Sequence, residues 1–101
     1  MSISATTTAD GFYSTPGEIL KEEFLEPLNI SNYRLAKTIG VSETAVGEIV
    51  HNKRRITTPM AVRLSKALGT TPEFWISLQS DYDLLTFDAS SVGDIKPLVS
   101  A

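Results

Sequence analysis

No cysteine occurs among these 101 residues, which excludes disulfide cross-links and thiolate chemistry. Histidine occurs once, at His51, so no His-rich metal site can be assembled, and neither a metal nor any other cofactor is expected. No apolar run approaches the roughly 18 residues of a membrane span, and the first residues lack the basic-then-apolar order of a secretory leader. A cytoplasmic protein is therefore expected. There is also no Gly-rich phosphate loop and no strained nucleophile turn. The carboxylates follow helical surface patterns rather than forming a pocket constellation, and His51 is better explained as a polar residue ending a helix. An enzyme is not expected.

What is present is ordinary in bulk and uneven in detail. Hydrophobic residues make up 42% and charged residues 21%, the balance of one soluble globular domain with a modest core. The net charge of −3 at first argues against a nucleic-acid partner. Its distribution reverses that argument. Residues 31–66 carry Arg34, Lys37, Lys53, Arg54, Arg55, Arg63 and Lys66 against Glu43 and Glu48, a net of +5. The remainder carries Lys21 and Lys96 against ten acids, a net of −8. A random surface distribution is the plain alternative. Otherwise one basic segment with acidic flanks can meet phosphate on one face and a basic protein on another.

Helix signals run through most of the chain. Residues 1–14 are Ser-, Thr- and Ala-rich without periodicity and read as a flexible tail. Thr15-Pro16-Gly17-Glu18 is a capping box that opens a first helix running to about Leu28, with Leu20, Phe24 and Leu28 inward and Pro27 distorting its last turn. Ser31 caps a second helix with Leu35, Ala36 and Ile39 inward. Gly40 allows a sharp left-handed turn, and Val41 plugs the corner. Ser42 caps a third helix, which buries Ala45, Val46, Ile49 and Val50 and leaves Glu43, Thr44, Gly47, Glu48 and His51 outward. Thr58-Pro59 starts a fourth helix, with Ala61, Leu64 and Leu68 inward and Gly69 as its stop. Thr71-Pro72-Glu73 starts a fifth, with Trp75, Leu78, Tyr82 and Leu85 on one stripe. Residues 87–101 read as an irregular tail in which Ile95 to Val99 could pair as a short strand or partner-bound arm. The fold expected for residues 15–86 is all-α, a compact five-helix bundle with a central helix–turn–helix of the lambda-repressor type.

That central unit, Ser31 to Val50, presents its second helix as an exposed rod whose width fits the DNA major groove. Two Ser-capped helices put partial positive charge at their N-termini, where phosphates can sit. Arg34 and Lys37 lie on the wet side of the first helix of the pair, and Lys53, Arg54 and Arg55 follow the second, as phosphate contacts flanking a groove would. Glu43, Thr44 and Glu48, with Asn52 as a further candidate, would read bases: glutamate accepts from cytosine N4, and the threonine methyl meets the thymine methyl. Gly47 costs its helix about 0.8–1 kcal/mol relative to alanine, which either permits close approach to the groove or is simply tolerated. A lone half-site reader discriminates poorly, so a two-fold dimer on palindromic DNA is expected. The apolar excess on the last helix places that interface at Tyr82, Leu84, Leu85 and Phe87.

These residues resemble the Xre/Cro-type helix–turn–helix family and, more narrowly, the HigA (VapI-like) antitoxins of type II toxin–antitoxin systems. Three blocks carry the resemblance: P-G-E-I-L-K-E-E-F-L-E-P-L at 16–28, Y-R-L-A-K-T-I-G-V-S at 33–42 and T-P-E-F-W-I-S-L-Q-S-D-Y-D-L at 71–84. The resemblance implies a dimeric repressor of its own operon. It also implies a partner toxin, HigB, a basic RelE-like ribonuclease that cuts messenger RNA on the ribosome. By that pattern Glu43, Thr44, Gly47 and Glu48 face bases, while Asn32, Arg34, Lys53 and Arg54 match phosphate-contact positions. The family often has glutamine at the position of Asn32 and a more polar residue at that of Gly47. A basic toxin suggests the acidic residues Glu22, Glu23 and Glu26, with the N-terminal tail, as its docking face; a solvated helix side explains the same glutamates. Two other readings remain open at this point. One is a stand-alone Xre-type repressor without a toxin. The other is an interaction module that has lost DNA binding.

Overall fold

The structure, a computed structural model, describes residues 14–99, and these are helical with no strand. The expectation about the N-terminal tail therefore lies almost wholly outside the described residues. The first helix, α1 (Pro16–Ile19), continues without a break into a π-helical segment (Leu20–Leu25); α2 (Asn32–Ile39), α3 (Glu43–Val50), α4 (Thr58–Leu68) and α5 (Pro72–Thr86) follow. A single 3₁₀ turn, Ala89–Val92, comes after α5.

Local sequence signals account for the helix starts. Thr15 Oγ1 accepts the Glu18 N–H at 3.2 Å, and the Glu18 carboxylate accepts the Thr15 N–H at 2.9 Å, a complete capping box. Ser31 and Ser42 each accept an N–H of the first turn at 3.0 Å. Gly40 ends α2 at φ 74° and Gly69 ends α4 at φ 73°, both in the left-handed region that only glycine enters freely. The cap of α4 is Thr57 rather than Thr58, one residue earlier than the sequence suggests.

Three other expectations need correction. The first helix does not run to Leu28. Pro27 has no N–H, and its ring crowds the carbonyl four residues back, so the last turns widen: Glu26 N–H bonds the Lys21 carbonyl at 2.9 Å. That winding pairs Leu20 with Leu25 on the buried side, and leaves Leu28 56% exposed. On α5 the stripe stops at Leu78. Gln79 is buried beside it, whereas Leu85 is 47% exposed. Finally, Ile95 to Val99 form no strand and lie exposed.

The core collects residues from every helix, led by Trp75, Leu20, Leu35, Ile49 and Leu64, together with Ile56 from the α3–α4 loop. Trp75 is fully buried, and its indole N–H donates to Thr70 Oγ1 at 2.7 Å, so the ring carries no unmet donor into the interior. Phe24 and Phe74 pack on it at centroid distances of 5.3 and 4.9 Å, which ties the π-helical segment to α5. No buried side-chain polar atom among the described residues lacks a partner.

One contact sets the angle between α1 and α3. Gly17 lies against the C-terminal carbonyls of α3: a Cβ there would overlap the oxygens of Ile49 and Val50 and sit 2.8 Å from the Val50 carbonyl carbon. Because the obstacle is backbone, no rotamer change relieves it. We expect Gly17→Ala to destabilise the domain by roughly 1–3 kcal/mol, the usual cost of overpacking. That corresponds to a fall of at least about 4 °C in the thermal midpoint of a domain this size. An unchanged midpoint would show that the two helices can separate at no cost.

Candidate nucleic-acid interface

The exposed side of α3 is built by subtraction. Ala45, Val46, Ile49 and Val50 are turned into the core, so Glu43 and Thr44 stand in solvent and Gly47 and Glu48 are half-buried beside them. The Ser42 cap fixes the first turn, and its remaining amides carry the positive end of the helix dipole. Among the described residues, and apart from the helix's own backbone, nothing lies within 4 Å of where a Gly47 Cβ would be. The fold itself does not require glycine at that position; what glycine gives is a dent in the exposed face of α3.

Glu48 is not free. Its Oε1 accepts both Nε and Nη2 of Arg54, at 2.9 and 2.7 Å. The two side chains are 39% and 51% exposed, so this pair contributes little to stability. Its effect is local: it removes one negative charge from the reading face and holds Arg54 beside the end of α3. Lys53 stands exposed next to it, and Arg55 turns the other way, donating to Asp83 Oδ2 on α5 at 2.7 Å. That hydrogen bond, with a second from Gln79, holds the Asp83 carboxyl below the usual aspartate range against the opposing effect of partial burial.

On α2, Arg34 and Lys37 are exposed and Asn32 is half-buried. Lys37 Nζ lies 3.3 Å from the Tyr33 hydroxyl and 5.6 Å from its ring centre, which steadies a long side chain on the helix surface. Asn52 is a correction. Its side chain does not point outward as a base reader would. At φ 60° it turns back onto α1, where Oδ1 accepts the Gly17 N–H at 3.0 Å and Nδ2 donates to Thr15 Oγ1 at 2.6 Å. Arg63, one of the seven cations of the basic segment, donates to the Ile39 carbonyl and so caps the C-terminus of α2. Neither role could be read from the sequence, because both depend on helices far apart in the chain.

The remaining candidates stand on other elements. Glu22 and Glu23 are exposed on the π-helical segment and Glu26 is exposed at its end, where Lys21 lies 3.9 Å away. Tyr82 is half-buried, while Leu84, Leu85 and Phe87 are 79%, 47% and 59% exposed at the end of α5. No group of three or more metal-ligating side chains gathers among the described residues. Nor is any helix of the structure long and apolar enough to cross a membrane.

Comparison with known proteins agrees with this geometry. A helix-turn-helix family model matches residues 21–75. An uncharacterized HTH-type transcriptional regulator of Haemophilus influenzae is 44% identical over 86 residues, covering 80% of each chain. Antitoxin HigA-1 of Vibrio cholerae is 46% identical over 68 residues, which cover 67% of this chain and 64% of the relative. Among solved structures, the Pseudomonas aeruginosa antitoxin HigA with the higBA promoter superposes with a TM-score of 0.76 at 39% identity, over 85% of this chain and 98% of that one.

Proposed function

The chain belongs to the helix-turn-helix family, and we propose that it is an antitoxin which, as a dimer, binds palindromic operator DNA and represses its own operon. It acts by binding rather than by catalysis, and needs no cofactor. We place it in the cytoplasm, where operator DNA and messenger-cleaving toxins both reside. The observation that carries the reading is the capped α2–α3 unit: its recognition helix turns a polar face away from the core, and exposed cations stand on the elements either side of it.

In this reading Glu43 and Thr44 meet base edges and the dent at Gly47 lets α3 seat deeply. Glu48 reads only when Arg54 releases it for a phosphate. Arg34, Lys37, Lys53 and Arg54 neutralise the backbones, with Asn32 donating from the first turn of α2. Arg55 takes part to the extent that it leaves Asp83. The second copy is placed on Tyr82, Leu84, Leu85 and Phe87, whose exposed apolar surface needs a cover. A HigB-type, RelE-like ribonuclease toxin is basic, and the exposed Glu22, Glu23 and Glu26 provide the complementary charge. The acidity of the whole chain thus belongs to a different face from the one that meets DNA.

Two measurements test this assignment. Binding to DNA from just upstream of the gene should weaken steeply with salt. Changing Lys53, Arg54 and Arg55 together to alanine should flatten the slope of log K against log salt by about two, since each released phosphate contact contributes close to one. Absence of wild-type binding at low salt would leave an interaction module instead. Separately, reversing Glu22, Glu23 and Glu26 to lysine should lower affinity for the basic toxin at least about tenfold. Unchanged affinity would remove that face from the contact.

A further inference from the structure

The loop between α3 and α4 places Lys53, Arg54 and Arg55 side by side. Three adjacent like charges repel, and a loop of this composition left to itself would sample many arrangements. Here neutral amide side chains tie both ends of the loop to distant parts of the chain, one from Asn52 at the loop's own start and one from Gln79 on α5. At the near end, Asn52 adopts φ 60° and spans to α1 through its two bonds, to the Gly17 N–H at 3.0 Å and to Thr15 Oγ1 at 2.6 Å. Lys53 N–H then closes onto the Glu48 carbonyl at 2.7 Å. At the far end, the Ile56 N–H donates to Gln79 Oε1 of α5 at 2.8 Å. Gln79 Nε2 continues to Asp83 Oδ1 at 2.9 Å, and the other Asp83 oxygen receives Arg55.

Gln79 stands where the apolar stripe of α5 would continue, and it is 5% exposed. Burying an amide is unfavourable unless each polar atom is paired, and an apolar side chain there would suit the core alone better. The amide is explained by what it holds: the N–H of Ile56, itself a buried residue, and through Asp83 the third cation of the loop. We infer, granting that the chain binds DNA, that Asn52 and Gln79 are positioning residues for DNA recognition. They fix the basic loop at the end of α3 before DNA arrives, so that Lys53 and Arg54 meet phosphates in one register set by α3. Asn52 acts through the loop and touches no base. A loop ordered in advance loses less freedom on binding, and that gain applies where α3 docks in its specific register. Non-specific binding, which takes phosphates in any register, gains little from it.

The test compares full-length wild type with Asn52→Gly and Gln79→Met. Glycine accepts the left-handed backbone of residue 52 and removes only the side-chain bonds; methionine keeps volume at residue 79 and removes the amide. Affinities are measured for upstream operator DNA, for a scrambled duplex, and for a set of operators each changed at one base pair, at a temperature where circular dichroism shows all three proteins fully helical. Each variant should bind the operator at least about tenfold more weakly and the scrambled duplex within about twofold of wild type, so that the specificity ratio falls. The Asn52→Gly loss should be equal across the single-base set. Operator affinity within about twofold of wild type in both variants overturns the inference, as does an Asn52→Gly loss confined to one base pair, the mark of a direct base contact. Variants that weaken both duplexes equally also overturn it, because they show loss of charge contact rather than of register. Failure of wild type itself to prefer the operator would overturn the DNA-binding reading, and this inference with it.

Discussion

The backbone-to-backbone contact between α1 and the end of α3 is the constraint on which the rest depends. Gly17 has no side chain, so the first turn of α1 rests directly on the carbonyls of Ile49 and Val50. A recognition helix is useful only if its exposed face is held at a fixed angle to the elements that grip the backbone on either side. In this chain that angle is set by a steric stop rather than by adaptable side chains. The same first turn supplies the Gly17 N–H and Thr15 hydroxyl that hold Asn52, so one small patch orients both α3 and the loop that leaves it. The remaining helices close the core around this joint through Leu20, Trp75 and their neighbours.

Charge is distributed to match. Net charge of the whole chain is −3, yet the exposed cations near α3 face little opposition on their own surface. Of the two acids there, Glu48 is occupied by Arg54, which leaves Glu43 at the helix start, where the positive end of the dipole favours it. The acids Glu22 and Glu23 are exposed on a different element. A basic surface around α3 and exposed acids on the first helix therefore coexist in a chain whose average charge shows neither.

Much of the fold was legible in the sequence because helix ends are local events. Thr15, Ser31, Ser42 and Thr71 cap the helices they were expected to cap, and Gly40 and Gly69 stop theirs, since each acts within four residues of itself. The inward residues of α2 and α3 follow a clean 3.6-residue period. What was not legible depended on partners distant in sequence or on departures from that period. The π winding that exchanged Leu28 for Leu25 arose from a proline beyond the segment. Asn52 looked like a base reader because its destination, α1, lies more than thirty residues away. Arg63 counted as a free cation until α4 brought it to the end of α2, and Gln79 interrupted an apolar stripe for the sake of a loop amide. In the candidate site the residue types and their helix faces could be read early; which side chains were already engaged could not.

If the outward face of α3 and the loop after it form the DNA-binding surface, their amides should respond to DNA before any others. Titrating isotope-labelled protein with upstream DNA, and following every backbone amide by NMR, tests this most directly. The largest shifts are expected at Glu43, Thr44, Gly47, Lys53 and Arg54, with Glu22 and Glu23 unmoved. Shifts concentrated on the first helix or at the end of α5, with α3 silent, would contradict it.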